Sequence, residues 1–252
     1  MKTPDFLLAL ITTASLATPV VAQDVQSAKP APPPPPRFEG SAEMSLISTA
    51  GNSDTQSFGL GSSIIWRPDP WTTQAQFSFV RSETDDVETA RTLLAWLRQG
   101  RTLTPKLDVY GRVEYLANEF AGIDNRITFD TGLGYKAVDN GRHLLRLDAG
   151  VGYAHESRLV GEDISAALMN LGGMYRWKFN ETASIENSTL YTLSFDDSDD
   201  WRFRNAFGVS AAMTRVLSLK LAHEVKYVNS PVEGFEKTDR LLSAAVVAKF
   251  AP

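Results

Sequence analysis

Polar and apolar residues alternate with a period of two along most of the chain after Phe38, and this pattern restricts the fold more than any other feature. In FDTGLGYKAVDNGRHLLRLDAGVGY, residues 129–153, Phe129, Leu133 and Tyr135 share one parity, and the alternation resumes after the turn signal DNG. Period two is the repeat of a β-strand, and an Asn-Gly or Asp-Gly connection is typical of a β-hairpin. The apolar face of such strands is buried in a soluble sheet, but it faces lipid in a membrane barrel.

Strand-like segments of this kind follow one another as far as Phe250, and we count twelve of them. An up-and-down barrel of the bacterial outer-membrane type needs an even number of strands. Most segments have about 10 to 13 residues, which suits a tilted membrane crossing. The sequence therefore predicts an all-β protein, a transmembrane antiparallel up-and-down barrel of about 12 strands. A soluble periplasmic sandwich or barrel is the alternative, because its solvated face would look the same.

The segment TARTLLAWLRQ, residues 89–99, fits the pattern least well. We expect Thr92, Leu94 and Trp96 to face outward, although Leu93 and Leu97 interrupt the alternation. A short amphipathic helix is the alternative for this segment.

The connections between segments alternate in character. One set is short (RPDP, LTPK, VDNG, FNET and TRV), and the other is longer and acidic (GNSDT, SETDDVE, NEFAGIDN, ESRLVGED, FDDSDD and NSPVEGFEKTD). The longer set holds seventeen of the chain's 30 Asp and Glu residues. Short periplasmic turns and longer external loops are the outer-membrane pattern. The acidic loops are interpreted either as solvated segments or as sites for divalent cations, such as those that bridge lipopolysaccharide phosphates.

The first 22 residues have the layout of a secretory signal peptide, with Lys2 followed by an apolar run and a small-residue cleavage site before Gln23. Residues 23–37 end in KPAPPPPPR and predict an extended, Pro-rich periplasmic spacer. The barrel is expected to occupy residues 38–252. Export without a long apolar helix predicts a location in the cell outer membrane, with outer-membrane lipids, lipopolysaccharide and, during biogenesis, the barrel assembly machinery as partners.

Composition excludes several classes of function. The formal net charge is -5, so no basic excess points to nucleic acid. The chain has no Cys and three His, which leaves little from which to build a metal site. GLGYKA matches the loose dinucleotide pattern, but it runs from a strand into a turn and lacks the helix that would bind a phosphate. We therefore expect no cofactor and no metal.

The polar faces of the predicted strands carry charges of both signs. By parity, the residues expected to line the lumen are Arg112, Glu114, Asp130, Lys136, Arg146, Asp148, Arg176, Glu186, Arg202, Arg204, Lys220, Glu224 and Lys226. Arg202 and Arg204 are expected to form a network with Lys220, Glu224 and Lys226 on the neighbouring strand. Because an unpaired buried charge is costly, pairing is expected to fill much of the bore. A narrow water-filled channel is the alternative.

His155 and Ser157, in AHESRL, share the parity of the apolar outer face near one rim. A His-x-Ser pair at that place is similar to the arrangement in outer-membrane phospholipases and lipid A deacylases, in which His activates Ser. HESR lacks the Asn that usually follows the Ser in those enzymes. An interfacial His beside a loop Ser is the other interpretation, and the one we favour.

The stretch FEGSAEMSLISTAGNSDTQSFGLGSSIIW, with the later GLGYK and DAGVGYAHES strands, resembles a domain-of-unknown-function family of salt-induced outer-membrane proteins. The resemblance covers roughly residues 38–250. It implies an outer-membrane barrel associated with salt stress and implies no catalytic residues. One departure is the end of the chain, where Phe250 is followed by Ala251 and Pro252, whereas such barrels usually finish on an aromatic residue.

The function expected from these features is that of a non-enzymatic outer-membrane barrel that supports envelope integrity or salt adaptation. A narrow channel for small solutes, anions among them, is the first alternative. A surface lipid hydrolase that uses His155 and Ser157 is the second.

Overall fold

A computed structural model of the protein describes residues 36–49 and 55–250. The predicted signal peptide, nearly all of the predicted spacer, and Ala251 and Pro252 lie outside the described residues. The described strands are β1 (Phe38–Thr49), β2 (Thr55–Trp66), β3 (Trp71–Thr84), β4 (Val87–Thr104), β5 (Leu107–Asn118), β6 (Ile123–Asp139), β7 (His143–Arg158), β8 (Ile164–Lys178), β9 (Ala183–Ser194), β10 (Trp201–Ala212), β11 (Leu217–Val228) and β12 (Thr238–Phe250). A single 3-10 turn, Glu119–Ala121, lies between β5 and β6. No helix among the described residues is long and apolar enough to cross a membrane.

The strands form one closed antiparallel barrel in which each strand pairs with its neighbours in the sequence. Closure comes from β1 and β12, which pair from Gly40 with Phe250 to Met44 with Val246. Because the two terminal strands pair, the sheet has no open edge whose backbone groups would need water. The predicted strand number and closure are therefore confirmed.

The apolar face of the barrel is its outer face. Phe129 is 61% exposed and Leu242 is 72% exposed, whereas Glu156 on the inner face is 1% exposed. The largest apolar cluster of buried residues comprises only Ala154, Ala166 and Leu168. A soluble sheet protein would bury its large apolar side chains, so the inverted arrangement excludes the soluble alternative.

The predicted orientation of β4 is wrong. Leu93 and Ala95 lie opposite Phe79 and Phe77 and share their outer face, so Leu94 and Trp96 face the lumen. Both parities of this segment carry apolar residues, and alternation alone could not decide between them. Pairing with β3 determines which face of β4 is the inner one, and it places Arg98 on that inner face. The segment is a strand, so the helical alternative is wrong as well.

The two ends of the barrel differ. At the end we call the turn end, the connections 67–70, 105–106, 140–142, 179–182 and 213–216 join neighbouring strands; the opposite end is called the loop end. The loops there are shorter than expected, because β4, β6, β7 and β8 have 15 to 18 residues and extend into them. SETDDVE, for example, is mostly strand and turns on Asp85 and Asp86, both with positive φ. Two such residues make the hairpin turn whose twist matches that of the strands.

Aromatic side chains form clusters on the outer face at both ends. At the turn end, His143 stacks on Trp177, and Trp177 contacts Phe179 with ring centroids 4.2 Å apart. At the loop end, Trp201 contacts Tyr227 and Tyr191, with centroid distances of 4.8 and 5.6 Å. Rings with an apolar body and a polar edge suit the two interfaces of a bilayer.

Candidate functional site

The lumen holds the chemistry of this protein, since its wall carries paired charges from one end to the other. By strand parity and pairing, the structure places all thirteen sequence-predicted lumen residues on the inner face. The residues that touch one another form three tiers, which we name by their position between the turn end and the loop end.

The turn-end tier is a ring of two arginines and two aspartates. Arg98 Nη2 donates to Asp108 Oδ2 at 3.1 Å and to Asp148 Oδ1 at 2.9 Å. Arg146 Nη2 donates to the same two oxygens at 2.8 and 2.9 Å. The guanidinium of Arg98 also lies 4.1 Å from the centroid of the Tyr110 ring. Each charge has two partners of opposite sign, so the ring is neutral and tightly held.

Glycines on β6 and β7 make room for this tier. A Cβ at Gly134 would overlap the guanidinium of Arg146, which crosses β6 at that point to reach Asp108. A Cβ at Gly150 would lie 2.8 Å from the Tyr110 hydroxyl. Gly134 and Gly150 therefore leave space for long side chains from neighbouring strands, whereas Gly132 and Gly152 allow the backbones of β6 and β7 to approach closely.

Gly132→Ala is expected to destabilise the barrel by about 2 kcal/mol or more, because the new Cβ would overlap backbone atoms of β7 that cannot move aside. Gly111→Ala on the adjacent strand is the matched control. A Cβ at Gly111 meets no atom within 4 Å, so we expect unchanged or slightly higher stability. The measurement is urea unfolding of barrels refolded into lipid vesicles. Equal midpoints for the two variants would contradict this explanation of the glycines.

The middle tier spans the bore. Arg112 and Glu114, both on β5, are paired, and the guanidinium of Arg112 lies 5.3 Å from the Trp96 ring centroid. Arg204 on β10 donates to Glu114 Oε2 at 3.3 Å. Strands β5 and β10 are five strands apart around the twelve, which is nearly opposite. A circular barrel of twelve strands about 4.8 Å apart and tilted about 40° would be about 24 Å across. One Arg and one Glu side chain placed end to end span far less than this diameter. The walls at β5 and β10 therefore approach each other at the middle tier.

The loop-end tier has one carboxylate at its centre. Glu156 accepts hydrogen bonds from Arg126 and Arg202, both at 2.7 Å, and from Arg158 at 2.9 Å. Arg202 comes from β10, three strands away from β7, and also pairs with Asp200 at 3.3 Å. Three arginines against Glu156 and Asp200 leave this tier with one excess positive charge.

The salt bridges of Arg202 and Arg204 are formed with residues other than those predicted, although Glu224 still attracts Arg204. Arg204 lies opposite Lys226 in the sheet, and like charges on neighbouring strands repel. Arg204 therefore turns into the bore towards Glu114, and Arg202, which lies opposite Val228, reaches Glu156. Glu224 pairs with Lys226 at 3.8 Å on its own strand, and Lys220 reaches Glu43 on β1 at 2.8 Å.

The remaining predicted lumen residues lie outside the three tiers. Arg176 pairs with Glu186 at 2.7 Å near the turn end, where both are exposed, and Lys136 lies opposite Arg146 on the same wall. Asp130 is buried beside Tyr110. The period of two also places four further residues on the inner face, although they are not among the predicted lumen residues: Asp108, Arg126, Glu156 and Arg158. Arg98 was missed because β4 was oriented the wrong way.

The lumen wall is asymmetric. Most buried polar residues of the inner face belong to β4–β8: Arg98, Asp108, Asn118, Arg126, Thr128, Asp130, Glu156 and Asn170. The inner face of β1–β3 has fewer charges and many small residues, namely Ser41, Ser45, Ser57, Gly59, Gly61, Ser63, Ser78 and Ser82, beside Glu43, Ile65, Gln74, Gln76 and Val80. Glu43, which projects from β1 on this wall, pairs with Lys220 on β11, and their side chains are 34% and 35% exposed. Charged side chains are therefore buried along β4–β8, whereas the charged pair at β1 is partly exposed.

His155 and Ser157 do not form a pair. His155 Nδ1 lies 2.8 Å from Ser165 Oγ, and Ser157 Oγ donates to Asp163 at 3.3 Å. The hydrolase alternative therefore loses the contact between base and nucleophile on which it depended.

The acidic loops contain no built metal site within the described part of the chain, where no group of three or more His, Asp or Glu side chains is arranged to hold an ion. Several loop carboxylates bind the protein's own backbone and side chains instead. Asp196 accepts from the backbone N–H of Ala167 at 2.9 Å, and Asp163 accepts from that of Arg158 at 3.1 Å.

Comparison with solved structures shows barrels of the outer-membrane type. An outer-membrane channel from Pseudomonas putida F1 is 14% identical, with a TM-score of 0.52 over 90% of this chain and 100% of that one. The NanC porin is 12% identical, with a TM-score of 0.49 over 84% of this chain and 97% of that one. The translocator domain of the autotransporter NalP from Neisseria meningitidis is 9% identical, with a TM-score of 0.47 over 84% of this chain and 87% of that one. At such identities the likeness concerns the fold alone, and the closed antiparallel barrel together with the Pseudomonas putida structure confirms the predicted fold class.

No curated protein sequence matches the chain. A family model does, over residues 42–250, which is most of the chain and nearly all of the barrel. This match confirms the predicted membership in a domain-of-unknown-function family. The chain belongs to the family described as Protein of unknown function, DUF481.

Proposed function

We propose that this protein is a narrow outer-membrane channel for small polar solutes and that it has no enzymatic role. The observation that carries the proposal is the division of the lumen. Charged side chains are buried along β4–β8, whereas small residues are frequent on β1–β3 and the side chains of Glu43 on β1 and its partner Lys220 are about one-third exposed. The structurally similar protein from Pseudomonas putida is itself a channel.

The bridge between Arg204 on β10 and Glu114 on β5 separates the β6–β9 side of the bore from the side that contains β1–β3. On the β1–β3 side, side chains are small, and their hydroxyls bond in pairs, as in Ser41 with Ser63 at 2.8 Å and Ser57 with Ser82 at 2.9 Å. Hydroxyls that donate and accept in turn suit water and uncharged polar solutes better than ions of one sign. We therefore propose a passage along this wall that is narrow and weakly selective for charge.

The membrane setting is part of the proposal. The exposed apolar belt and the aromatic clusters at both ends suit an outer membrane, with lipid and lipopolysaccharide as neighbours and insertion by the barrel assembly machinery. Divalent cations at the acidic loop end would be attracted by the summed charge of the loops. A contribution to salt or osmotic adaptation, or to envelope integrity, would follow from solute movement along the passage.

Ser63→Phe is expected to lower single-channel conductance in planar bilayers by at least about twofold, because the ring would enter the passage. Ser62→Phe is the matched control. It makes the same change on the neighbouring residue, which lies opposite Phe77 and faces outward, so conductance should stay at the wild-type value. Wild-type barrels should show small, steady conductance. If wild type does not conduct, or if both variants conduct alike, the proposed passage is wrong.

A further inference from the structure

The longest loop-end connection among the described residues crosses the mouth of the barrel. Residues 229–237, which we call the lid loop, join β11 to β12. The lid loop contacts Gly122, at the start of β6, since a Cβ at Gly122 would lie 2.7 Å from Val232 Cβ and 2.8 Å from the Phe235 ring. Six strands separate the β11–β12 connection from the β5–β6 connection in either direction. The lid loop therefore reaches the diametrically opposite rim.

The sequence of the lid loop explains its shape. Phe235 N donates to Val232 O at 3.0 Å, and Gly234 between them has φ +87°. A four-residue turn with positive φ at its third residue requires Gly at that place. The turn directs Val232 and Phe235 together towards Gly122.

Both ends of the contact are held in place. Asn229 Nδ2 and Ser230 Oγ donate to Asp199 O, each at 3.0 Å, which ties the start of the lid loop to the β9–β10 connection. Val232 is 4% exposed, although it lies in a loop at the end of the barrel. On the other rim, Gly122 O accepts from Leu159 N at 2.9 Å. An apolar side chain buried at the mouth of a bore lined with charges indicates a specific docking contact.

We propose that the lid loop is the gate of the channel: docked against Gly122 it restricts the loop-end mouth, and undocked it opens that mouth. The proposal rests on the proposed channel function. Gly122 has φ +75° and leaves just the space that Val232 and Phe235 fill, so any side chain at position 122 would displace them. The hydrogen bonds from Asn229 and Ser230 to Asp199 lie at the start of the lid loop, so the part with Val232 and Phe235 can undock while that start stays attached.

Gly122→Ala is expected to undock the lid loop and to raise conductance by at least about twofold. Gly161→Ala is the matched control, since Gly161 also has a left-handed φ, +87°, in a loop-end connection but a Cβ there meets no atom within 4 Å. Phe235→Ala removes one docking side chain without backbone strain and should act in the same direction as Gly122→Ala. Heat-modifiability gels verify that each variant forms a barrel.

Docking is measured independently of conductance by the rate at which a Cys reacts with a membrane-impermeant maleimide, because the chain has no Cys of its own. Val232→Cys should react slowly alone and together with Gly161→Ala, and at least about fivefold faster together with Gly122→Ala. If Gly122→Ala speeds the labelling of Val232→Cys without raising conductance, while Ser63→Phe still lowers conductance, then the proposed gate is wrong and the proposed channel stands. If no variant conducts, the proposed channel is wrong, and the proposed gate is then wrong as well, whatever the labelling rate.

Discussion

Replacing both Arg202 and Arg204 with Ser is expected to raise single-channel conductance several-fold. These two side chains enter the bore from β10 and reach Glu156 and Glu114 on the opposite part of the wall. Serine is too short to reach either carboxylate, so both connections across the lumen are lost together. The double variant should also lose some stability, since Glu114 and Glu156 each lose one partner.

The matched control replaces two arginines at the same end of the barrel but on its outer face. Arg81 and Arg91 pair with Glu88, and their side chains are nearly half exposed. Arg81→Ser combined with Arg91→Ser should leave conductance unchanged. A large, steady wild-type conductance, with an anion preference that disappears in the Arg202 and Arg204 double variant, would instead mean that these arginines line an open anion-selective pore.

Glu156→Gln is expected to destabilise the barrel by about 3 to 5 kcal/mol. The carboxylate is 1% exposed and accepts from three arginines, so an amide in its place leaves those positive charges facing one another in a site from which water is excluded. The measurement is the urea midpoint of unfolding from lipid vesicles, together with the temperature at which the unheated form disappears from a gel. Adding Arg126→Gln should restore part of the loss, because one of the excess charges is then removed.

Glu186→Gln is the matched control for this prediction. Glu186 has the single partner Arg176, and their side chains are 49% and 37% exposed, so the pair is screened by water. We expect a change of at most about 1 kcal/mol. Similar unfolding midpoints for Glu156→Gln and wild type would show that the loop-end tier does not stabilise the barrel.

The fold followed from the sequence because strand direction and side-chain parity are local properties. In β7, Leu145, Leu147 and Val151 alternate with Arg146 and Asp148, and a strand with that alternation has one apolar and one charged face whatever surrounds it. Where both parities are apolar, as in β4, the local signal is missing. The orientation of Trp96 and Arg98 was therefore decided by pairing with β3.

The candidate site was predictable as a list of residues and not as a set of contacts. The inner-face positions of Arg204 and Glu114 follow from parity, but their contact joins residues 90 apart in the chain. This contact exists because the walls at β5 and β10 approach each other. Rules for side-chain pairs on neighbouring strands do not predict such an approach. Arg204 has Lys226 beside it in the sheet, so the rule pointed to a repulsive neighbour.

The sequence by itself determined the number of strands, the outward apolar face and the charged lining, because each depends on a period of two and on pairing between consecutive strands. Only the tertiary structure decided which charges meet, which of them stay partly exposed, and that Val232 and Phe235 contact Gly122 across the mouth. Those contacts join opposite walls. They depend on the closure and cross-section of the barrel, which all twelve strands set together and no single segment encodes.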